Sequence, residues 1–160
     1  KNIVVNIENK DYYEAESLLL KESLNNICDV IKEIVSGLKP EEQDHSNATI
    51  AKKIHKREGI IDWATTSDVI KNKFLAFKKW PKVFFKFGGV NVEAVDLQLY
   101  SNEIGSPGEV CGFDQEGLKI YCKNGVVVIR SVKFPGKKVI GSKDFFNSKR
   151  DIISRGDLLI

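Results

Sequence analysis

Basic side chains are the residues of this 160-residue sequence whose types and spacing most clearly suggest chemistry. They occur in short clusters that are separated along the chain. Lysine and arginine neutralise backbone phosphates, and a protein that gathers several of them gains a salt-dependent affinity for nucleic acid. Because many of them fall in predicted loops, the pattern favours recognition of a folded RNA through its backbone. The candidate phosphate-binding residues are Lys52, Lys53, Lys56, Arg57, Lys78, Lys79, Lys82, Lys137, Lys138, Lys149, Arg150 and Arg155.

The distribution of charge along the chain supports this expectation. Residues 8–44 contain ten acids and four lysines, whereas residues 71–86 contain six lysines and no acid. Residues 119–155 contain ten basic residues against two acids, Asp144 and Asp151. A basic second part attached to an acidic first part is typical of a polyanion-binding module joined to a separate element. The alternative for each cluster is a solvated surface segment without a partner.

No motif in the sequence meets the requirements of an active site. The sequence contains no nucleophile elbow, P-loop or dinucleotide fingerprint. His45 and His55 lie in polar sequence without carboxylate or thiol partners at ligand spacing. We therefore assign no catalytic and no metal-binding residue, and we expect the chain alone to be inactive.

The cysteine pattern indicates the redox state of the compartment in which the protein is located. Cys28, Cys111 and Cys122 are far apart, odd in number and without Cys-x-x-Cys spacing, which predicts reduced, buried or half-buried thiols in the cytoplasm. No apolar run approaches the roughly 20 residues that cross a bilayer, and the N-terminal sequence shows no signal-peptide pattern. The absence of methionine predicts a fragment or a processed chain.

The first part of the chain has the pattern of a strand and a helix. Residues 3–7 predict a short strand, and residues 13–35 predict an amphipathic helix that ends near Gly37 and cannot resume at Pro40. A strand followed by a long helix is typical of the end of an α/β domain. Residues 39–47 are polar and predict a linker. The apolar stripe of the helix consists of Leu20, Leu24, Ile27, Ile31 and Ile34.

The second part has the pattern of a small barrel. Residues 59–81 predict a short helix that Pro81 terminates, and beyond it the apolar period changes to two. Gly88-Gly89 and Asn124-Gly125 predict hairpins, the latter with a type I′ turn, and a phase slip near Ala94 predicts a β-bulge.

Further features complete this barrel. Residues 126–134 predict a central strand, Ser142 is expected to cap a short helix, and residues 158–160 predict a last strand. Five or six strands at 8–12-residue spacing predict an α+β fold, a small OB-like antiparallel β-barrel with short helices. Aromatic residues on strands are more often core than exposed, so base stacking is a secondary expectation for the three candidates Trp80, Phe84 and Tyr121.

Several separated motifs resemble those of methionyl-tRNA formyltransferases. Asp62-Trp63, followed by Ala76-Phe77-Lys78-Lys79-Trp80-Pro81, resembles the family's Ile-Asp-Trp and Arg-Ala-Phe-Asn-Pro-Trp-Pro signature. Gly136-Lys137-Lys138, residues 143–150 and Gly156-Asp157-Leu158 resemble its closing pattern of Gly-Lys-Lys/Arg, an Asp-Leu/Phe-Leu-Asn-x-Arg-Arg helix and Gly-Asp/Asn-Arg-Leu. The chain departs from the family in having Lys78-Lys79 where the family has Asn-Pro, and in lacking the final arginine.

The resemblance implies three parts and an activity. Residues 1–40 would be the tail of a Rossmann-like catalytic domain, residues 41–62 a linker, and residues 63–160 an OB-like tRNA-binding domain. The full-length protein would be a cytoplasmic monomer that transfers a formyl group from 10-formyltetrahydrofolate to the amino group of initiator methionyl-tRNA. The family's catalytic Asn, His and Asp would precede this chain, so the fragment would bind no folate.

Two alternatives stay open at this point. The chain could be a fragment of a sugar-nucleotide formyltransferase, or a stand-alone RNA-binding barrel without catalysis. The Lys137-Lys138 and Lys149-Arg150 pairs favour the tRNA enzyme.

Overall fold

The computed structural model describes residues 3–159, which form two compact units. The first unit runs to Ile54 and contains one long helix. The second begins at His55 and contains all of the described strands.

The first unit is built on α1, Tyr12–Val35, as the sequence predicts. The Asp11 carboxylate accepts hydrogen bonds from the backbone N–H groups of Tyr13 and Glu14, and the Glu14 side chain accepts one from Asp11 N, 2.9 Å away. This capping box satisfies N–H groups that the first turn leaves without helical partners. The helix ends at Ser36 and is followed by Gly37 with φ of +93°. A short 3-10 helix, His45–Asn47, begins after Asp44.

The apolar face of α1 is exposed, since no residue of the helix is buried. Its stripe residues are 49–71% exposed, and they are Leu20, Leu24, Ile27, Ile31 and Ile34. The strand predicted at residues 3–7 is wrong for this structure. A strand needs a neighbouring edge for its N–H and C=O groups, and residues 3–54 contain no strand to pair with.

The second unit places two α-helices and six strands around one core. The helix predicted before Pro81 is α2, Ser67–Ala76, which begins after the Thr66 cap. The short helix predicted at Ser142 also forms, but Ser142 is its first residue and Gly141 its cap, without a side-chain hydrogen bond. The elements in order are a 3-10 helix Lys56–Gly59, α2 Ser67–Ala76, β1 Phe84–Phe87, β2 Val90–Ser101, β3 Val110–Asp114, β4 Gly117–Cys122, β5 Gly125–Lys133, β6 Val139–Gly141 and α3 Ser142–Lys149.

The strands form one antiparallel sheet in the order β1-β2-β5-β4-β3, with β6 also pairing with β5. β2 runs along one edge of β5, while β4 and β6 share the other edge. Since β5 has neighbours on both edges, the prediction that residues 126–134 form a central strand is confirmed. Three register shifts interrupt the β2–β5 ladder, the first between Ala94 and Asp96, which confirms the bulge. Bulges increase strand twist, and the sheet curls into a half-barrel, which agrees with the predicted α+β fold and its small OB-like barrel.

The core lies inside this curled sheet. β4 is buried along its whole length, and β5 is buried from Gly125 to Ile129. Ile61, whose N–H donates to Phe84 O at 2.8 Å, and Trp63 add the segment before α2 to the same core. From α3, Phe145 is fully buried against Phe113, with ring centroids 4.9 Å apart. The packing of α3 fixes the position of the residues at its C-terminal end.

The Asn124-Gly125 hairpin is present, but its predicted type I′ turn is wrong. Cys122 pairs with Gly125, so Lys123 and Asn124 are the central residues, and neither has the positive φ that type I′ requires. The Asn124 side chain accepts a hydrogen bond from Ser67 N at 2.8 Å, and Lys123 N donates to Thr65 O at 3.1 Å. These contacts with the start of α2 hold the turn in its observed form. Gly125 is needed because a Cβ there would lie 2.6 Å from Ser101 O.

The C-terminal strand predicted at residues 158–160 is reduced to an isolated antiparallel bridge between Glu109 and Leu158, and residue 160 lies outside the described residues. Among the described helices, none combines the length and the apolar character that a membrane span requires.

Candidate nucleic-acid interface

A lysine-lined surface crosses one side of the barrel unit. Two open depressions, of about 600 and 440 Å³, adjoin each other at Val90, Phe134 and Pro135, which line both. A smaller depression of about 60 Å³ adjoins it through Lys82 and Glu93. We call this surface the lysine groove, and its lysines are Lys56, Lys78, Lys82, Lys133, Lys137, Lys138 and Lys149.

Separate elements carry these lysines to the groove. Lys56 begins the 3-10 helix, Lys133 is the last residue of β5, and Lys149 is the last residue of α3. Lys78 and Lys82 flank the turn between α2 and β1, while Lys137 and Lys138 lie in the turn between β5 and β6. Residues far apart in sequence therefore converge because the barrel folds, which is what a built phosphate-binding surface requires.

Hydrogen bonds fix the turn between α2 and β1. Lys82 N donates to Phe77 O at 3.1 Å, and the Lys82 ammonium donates to the carbonyl of Lys78. Lys82 has φ of +71°, an uncommon conformation for a residue with a Cβ, which this pair of bonds maintains. The Lys78 ammonium lies 4.1 Å from the centroid of the Phe74 ring, so it is held over the end of α2.

The turn between β5 and β6 is fixed in a similar way. Lys137 N donates to Phe134 O at 3.0 Å, which closes the turn through Pro135 and Gly136. The Phe134 ring lies between α3 residues, with its centroid 6.1 Å from that of Phe145 and 5.4 Å from the Lys149 ammonium. The groove therefore combines an aromatic side chain with lysines whose backbone is held in place by hydrogen bonds.

The lysines of the groove are available to a polyanion. Within residues 3–159, none of the seven is in a salt bridge, and Glu93 is the one acidic residue that lines the groove. Lys119 shows the contrasting case. It is buried, its ammonium lies 2.7 Å from Asp114 and 2.9 Å from Glu116, and its charge is already compensated. Burial would lower the pKa of Lys119, but the hydrogen bonds to these two carboxylates outweigh it and raise that pKa.

The structure gathers half of the predicted phosphate-binding residues and leaves the others elsewhere. Lys56, Lys78, Lys82, Lys137, Lys138 and Lys149 line the groove or its adjoining depression. Arg155 instead lies near Cys111 and Tyr121, beside β3 at the far edge of the sheet. The remaining predicted residues are exposed and line none of these depressions: Lys52 and Lys53 in the first unit, and Arg57, Lys79 and Arg150 in the second.

Lys133 is a groove residue that the sequence prediction omitted. It pairs with Glu93 of β2 and Val139 of β6, so it stands where three strands meet. Its signal in the sequence is weak, a single lysine at the exposed end of an apolar strand, directly before the Phe134-Pro135-Gly136 turn. Only the pairing of β5 with β2 and β6 brings it to the other lysines.

Of the three aromatic candidates for base stacking, one is exposed to solvent in the structure. Trp80 is 52% exposed, whereas Phe84 and Tyr121 are buried, so stacking on these two is wrong. Neither belongs to the core cluster: Phe84 is covered by the segment that carries Gly59, and Tyr121 by the segment that carries Gly105. A Cβ at these two glycines would lie 2.7 and 2.4 Å from the respective rings. The Tyr121 hydroxyl donates to a Glu103 oxygen at 2.9 Å, and this bond raises the pKa of the tyrosine.

The cysteines and histidines give no chemical centre. All three thiols are free, and Cys122 is buried and Cys111 half-buried as expected, but Cys28 is exposed on α1 because that helix face is uncovered. His45 and His55 are both exposed. The described residues contain no group of three or more His, Cys, Asp or Glu that could hold a metal ion.

Residues 53–150 match the family described as formyl transferase, C-terminal domain, which covers most of the barrel. Methionyl-tRNA formyltransferase of Buchnera aphidicola is 25% identical to this chain over 162 residues, which cover 99% of this chain and 52% of that protein. The corresponding proteins of Campylobacter curvus and Sulfurihydrogenibium are 34% and 31% identical over 71% and 86% of this chain, and over 36% and 45% of their own lengths. The chain thus spans about half or less of the curated relatives it matches.

Solved structures show the same fold at low sequence identity. A variant of HypX from Aquifex aeolicus superposes with a TM-score of 0.66 at 15% identity, over 98% of this chain and 31% of that protein. HypX in complex with tetrahydrofolic acid superposes with a TM-score of 0.55 at 18% identity, over 84% of this chain and 26% of that protein. These likenesses concern the fold, whereas the match of residues 53–150, more than half of the chain, shows that the chain belongs to the formyl transferase C-terminal domain family.

Proposed function

We propose that this chain is the C-terminal part of a methionyl-tRNA formyltransferase. The longer protein would transfer the formyl group of 10-formyltetrahydrofolate to the amino group of initiator methionyl-tRNA. In that reaction the bond from the formyl carbon to N10 of the folate breaks, and an amide bond to the methionyl nitrogen forms. The amine loses one proton and N10 gains one, so no oxidant or reductant is needed.

The role proposed for the barrel is to bind the tRNA, and the lysine groove is the observation that supports it. Seven lysines from separate segments share one surface, and phosphate neutralisation by such residues releases counterions and drives binding. The relatives from Buchnera, Campylobacter and Sulfurihydrogenibium are all methionyl-tRNA formyltransferases. The groove would hold the RNA backbone by shape and charge, as tRNA helices offer few readable base edges.

The remaining predicted basic residues would extend this contact. Lys52 and Lys53 precede the barrel, Arg57 and Lys79 adjoin groove lysines in sequence, and Arg150 follows Lys149. Arg155 is the least supported of the twelve, since it lies beside β3 near Cys111. We retain all of them in the proposal, with the groove lysines as its centre.

The proposal places catalysis outside these 160 residues. The lining of the groove supports this placement, because neither of the two buried polar side chains among the described residues, Ser67 and Lys119, lines it. A pterin ring needs convergent, fixed hydrogen-bonding groups. We therefore propose that the folate binds outside this chain, and we expect the fragment to be inactive alone.

The arrangement of the longer protein belongs to the same proposal. Residues 1–40 would complete a Rossmann-like catalytic domain, residues 41–62 would be the linker and residues 63–160 the tRNA-binding domain. The exposed apolar stripe of α1 supports this division, because such a stripe is suited to packing against a sheet. We propose a cytoplasmic monomer.

The identity of the molecule that accepts the formyl group tests the proposed function. The full-length protein should formylate methionyl initiator tRNA with 10-formyltetrahydrofolate as donor, detected as formylmethionyl-tRNA by mass spectrometry. An amino-sugar nucleotide should not be formylated under the same conditions. Formylation of the sugar nucleotide, with none of the tRNA, would assign the chain to the sugar-nucleotide enzymes instead.

A further inference from the structure

We propose that the lysine groove holds one unpaired nucleotide of the bound RNA, with the base on an apolar floor and the flanking phosphates on the lysine rim. This inference rests on the proposed RNA binding and adds a preference to it. The depression of about 600 Å³ has a floor of Val90, Phe134, Pro135 and Ile140 and a rim of Lys137, Lys138 and Lys149. Among the residues that the structure describes, no acidic one lines it.

The floor is open to a ligand and fixed from below. Val90 is 42% exposed, Pro135 is exposed, and Phe134 is half-buried. The Phe134 ring contacts Phe145, which is fully buried, so the aromatic floor cannot collapse into the core. Phosphate binding by lysines does not need an apolar floor, and its presence at the centre of the lysine surface calls for an apolar group on the ligand.

A nucleotide carries both groups that this site would bind, an apolar base face and charged phosphates. Each base presents a flat apolar face, and stacking of a base on an aromatic side chain is worth about 1–3 kcal/mol. A volume of about 600 Å³ is that of a small-molecule site and suits one nucleotide. The lysine rim continues past the shared residues Val90, Phe134 and Pro135 to Lys56, Lys82 and Lys133, which gives the RNA backbone a path on either side of that nucleotide.

The base must come from an unpaired position. In a duplex the bases are stacked on each other and their faces are covered, whereas loops, bulges and ends offer bases that can be turned outward. The structure therefore predicts that the chain distinguishes a duplex with an unpaired nucleotide from a fully paired one. Charge alone would not make that distinction.

The test compares a short RNA duplex that carries a single-nucleotide bulge with the same duplex without the bulge, by fluorescence anisotropy at fixed salt. The chain should bind the bulged RNA roughly 5- to 30-fold more tightly, as stacking of one base allows. Val90→Glu and Phe134→Leu should each remove most of that preference. Leu99→Glu is the matched control, because Leu99 also lies in β2, is also 42% exposed and does not line the groove.

Each outcome decides the inference. Equal affinity for the two RNAs overturns it and leaves the proposed RNA binding intact, whereas no binding of either RNA overturns both. A preference that survives Val90→Glu and Phe134→Leu also overturns it, since the base would then lie elsewhere. A peptide of glutamate and leucine that binds as tightly as the bulged RNA, with the same dependence on Val90, would make the groove a peptide site and reject the inference. If Phe134→Leu does not fold by circular dichroism, Val90→Glu decides.

Discussion

The Lys149 ammonium lies 5.4 Å from the centroid of the Phe134 ring. The last residue of α3 therefore contributes a cation beside the aromatic residue that follows β5 and lines the groove. This relationship joins the core to the proposed RNA surface. Lys149 stays there because α3 packs through Phe145, and Phe134 stays there because Lys137 N closes the following turn. The proposed binding surface therefore depends on packing as well as on charge.

Removal of this cation should weaken RNA binding with little effect on the fold. We expect Lys149→Gln to flatten the log–log salt dependence of tRNA affinity by about 0.7 to 0.9, the loss of one phosphate contact. The free energy of unfolding should fall by less than about 1 kcal/mol, since an exposed cation–π contact contributes no more. Lys143→Gln, at the opposite end of α3 and outside the groove, is the matched control. An equal effect of both variants on the salt dependence would show that position on the surface does not matter.

The packing of α3 should be measurable separately. Phe145→Ala removes a fully buried ring that contacts Phe113 at 4.9 Å and Phe134 at 6.1 Å between centroids. We expect the free energy of unfolding in urea to fall by about 3–5 kcal/mol, the usual cost of such a truncation. Phe146→Ala, at a half-buried neighbour, should cost clearly less. Equal costs would mean that Phe145 does not anchor the helix.

The hairpin between β4 and β5 requires glycine, which has no side chain, at residue 125. A Cβ at residue 125 would lie 2.6 Å from Ser101 O, so Gly125→Ala should force β5 away from β2. The expected loss is about 1–3 kcal/mol of unfolding free energy, as for other overpacked sites. Gly112→Ala provides the comparison, because its Cβ would meet its nearest neighbour, a Lys119 side-chain atom, at an ordinary 3.5 Å. A Gly125 variant as stable as the Gly112 variant would contradict the close approach.

Lys119 predicts a specific pH dependence of stability. Burial would raise the pKa of Asp114, but the hydrogen bonds from Lys119 and from the backbone N–H groups of Glu116 and Gly117, together with the charge of Lys119, outweigh it and lower that pKa below its usual 3.8. A carboxyl group with a lowered folded-state pKa stabilises the protein above its unfolded pKa, and that contribution is lost as the pH falls through the folded value. The pKa of Lys119 is raised above its usual 10.5, so its contribution is complete below that pH and declines as the pH rises further.

The difference in unfolding free energy between the native chain and Lys119→Met should therefore be constant at neutral pH and shrink below about pH 4. Urea unfolding between acidic and neutral pH measures this difference. Asp114 is about half exposed, so the change should be modest. A difference that does not vary with pH would show that the two groups are not coupled.

Features with a local signal were predictable from the sequence. The helix that begins at Tyr12 has a repeating stripe and a stop, the bulge at Ala94 is a slip in a two-residue period, and the hairpin glycines mark their turns. Turn type was not predictable, because the turn at Asn124 is set by its contact with Ser67, 57 positions away. Pairing at that separation leaves no trace in neighbouring residues.

The candidate site divides in the same way. The sequence identifies the lysine clusters, but only the sheet order brings Lys56, Lys133 and Lys149 together and leaves Arg155 beside β3. Burial of Phe84 and Tyr121 likewise depends on the segments of Gly59 and Gly105, which cover these rings on the face of the strands opposite the core. The strand at residues 3–7 failed for a related reason, because a strand forms only where a partner edge exists.

The salt dependence of tRNA binding should distinguish the lysine groove from the other basic residues of the chain. Lys137→Glu/Lys138→Glu and Lys123→Glu/Arg130→Glu each change the formal net charge from +3 to −1, that is 3 − 4, but only the first pair lies in the groove. We expect the groove variant to flatten the slope of log affinity against log salt concentration by about 1.4 to 1.8, and the control to retain the native slope. Equal slopes for the native chain and the groove variant, or equal flattening by both variants, would contradict the claim that the lysine groove binds the tRNA.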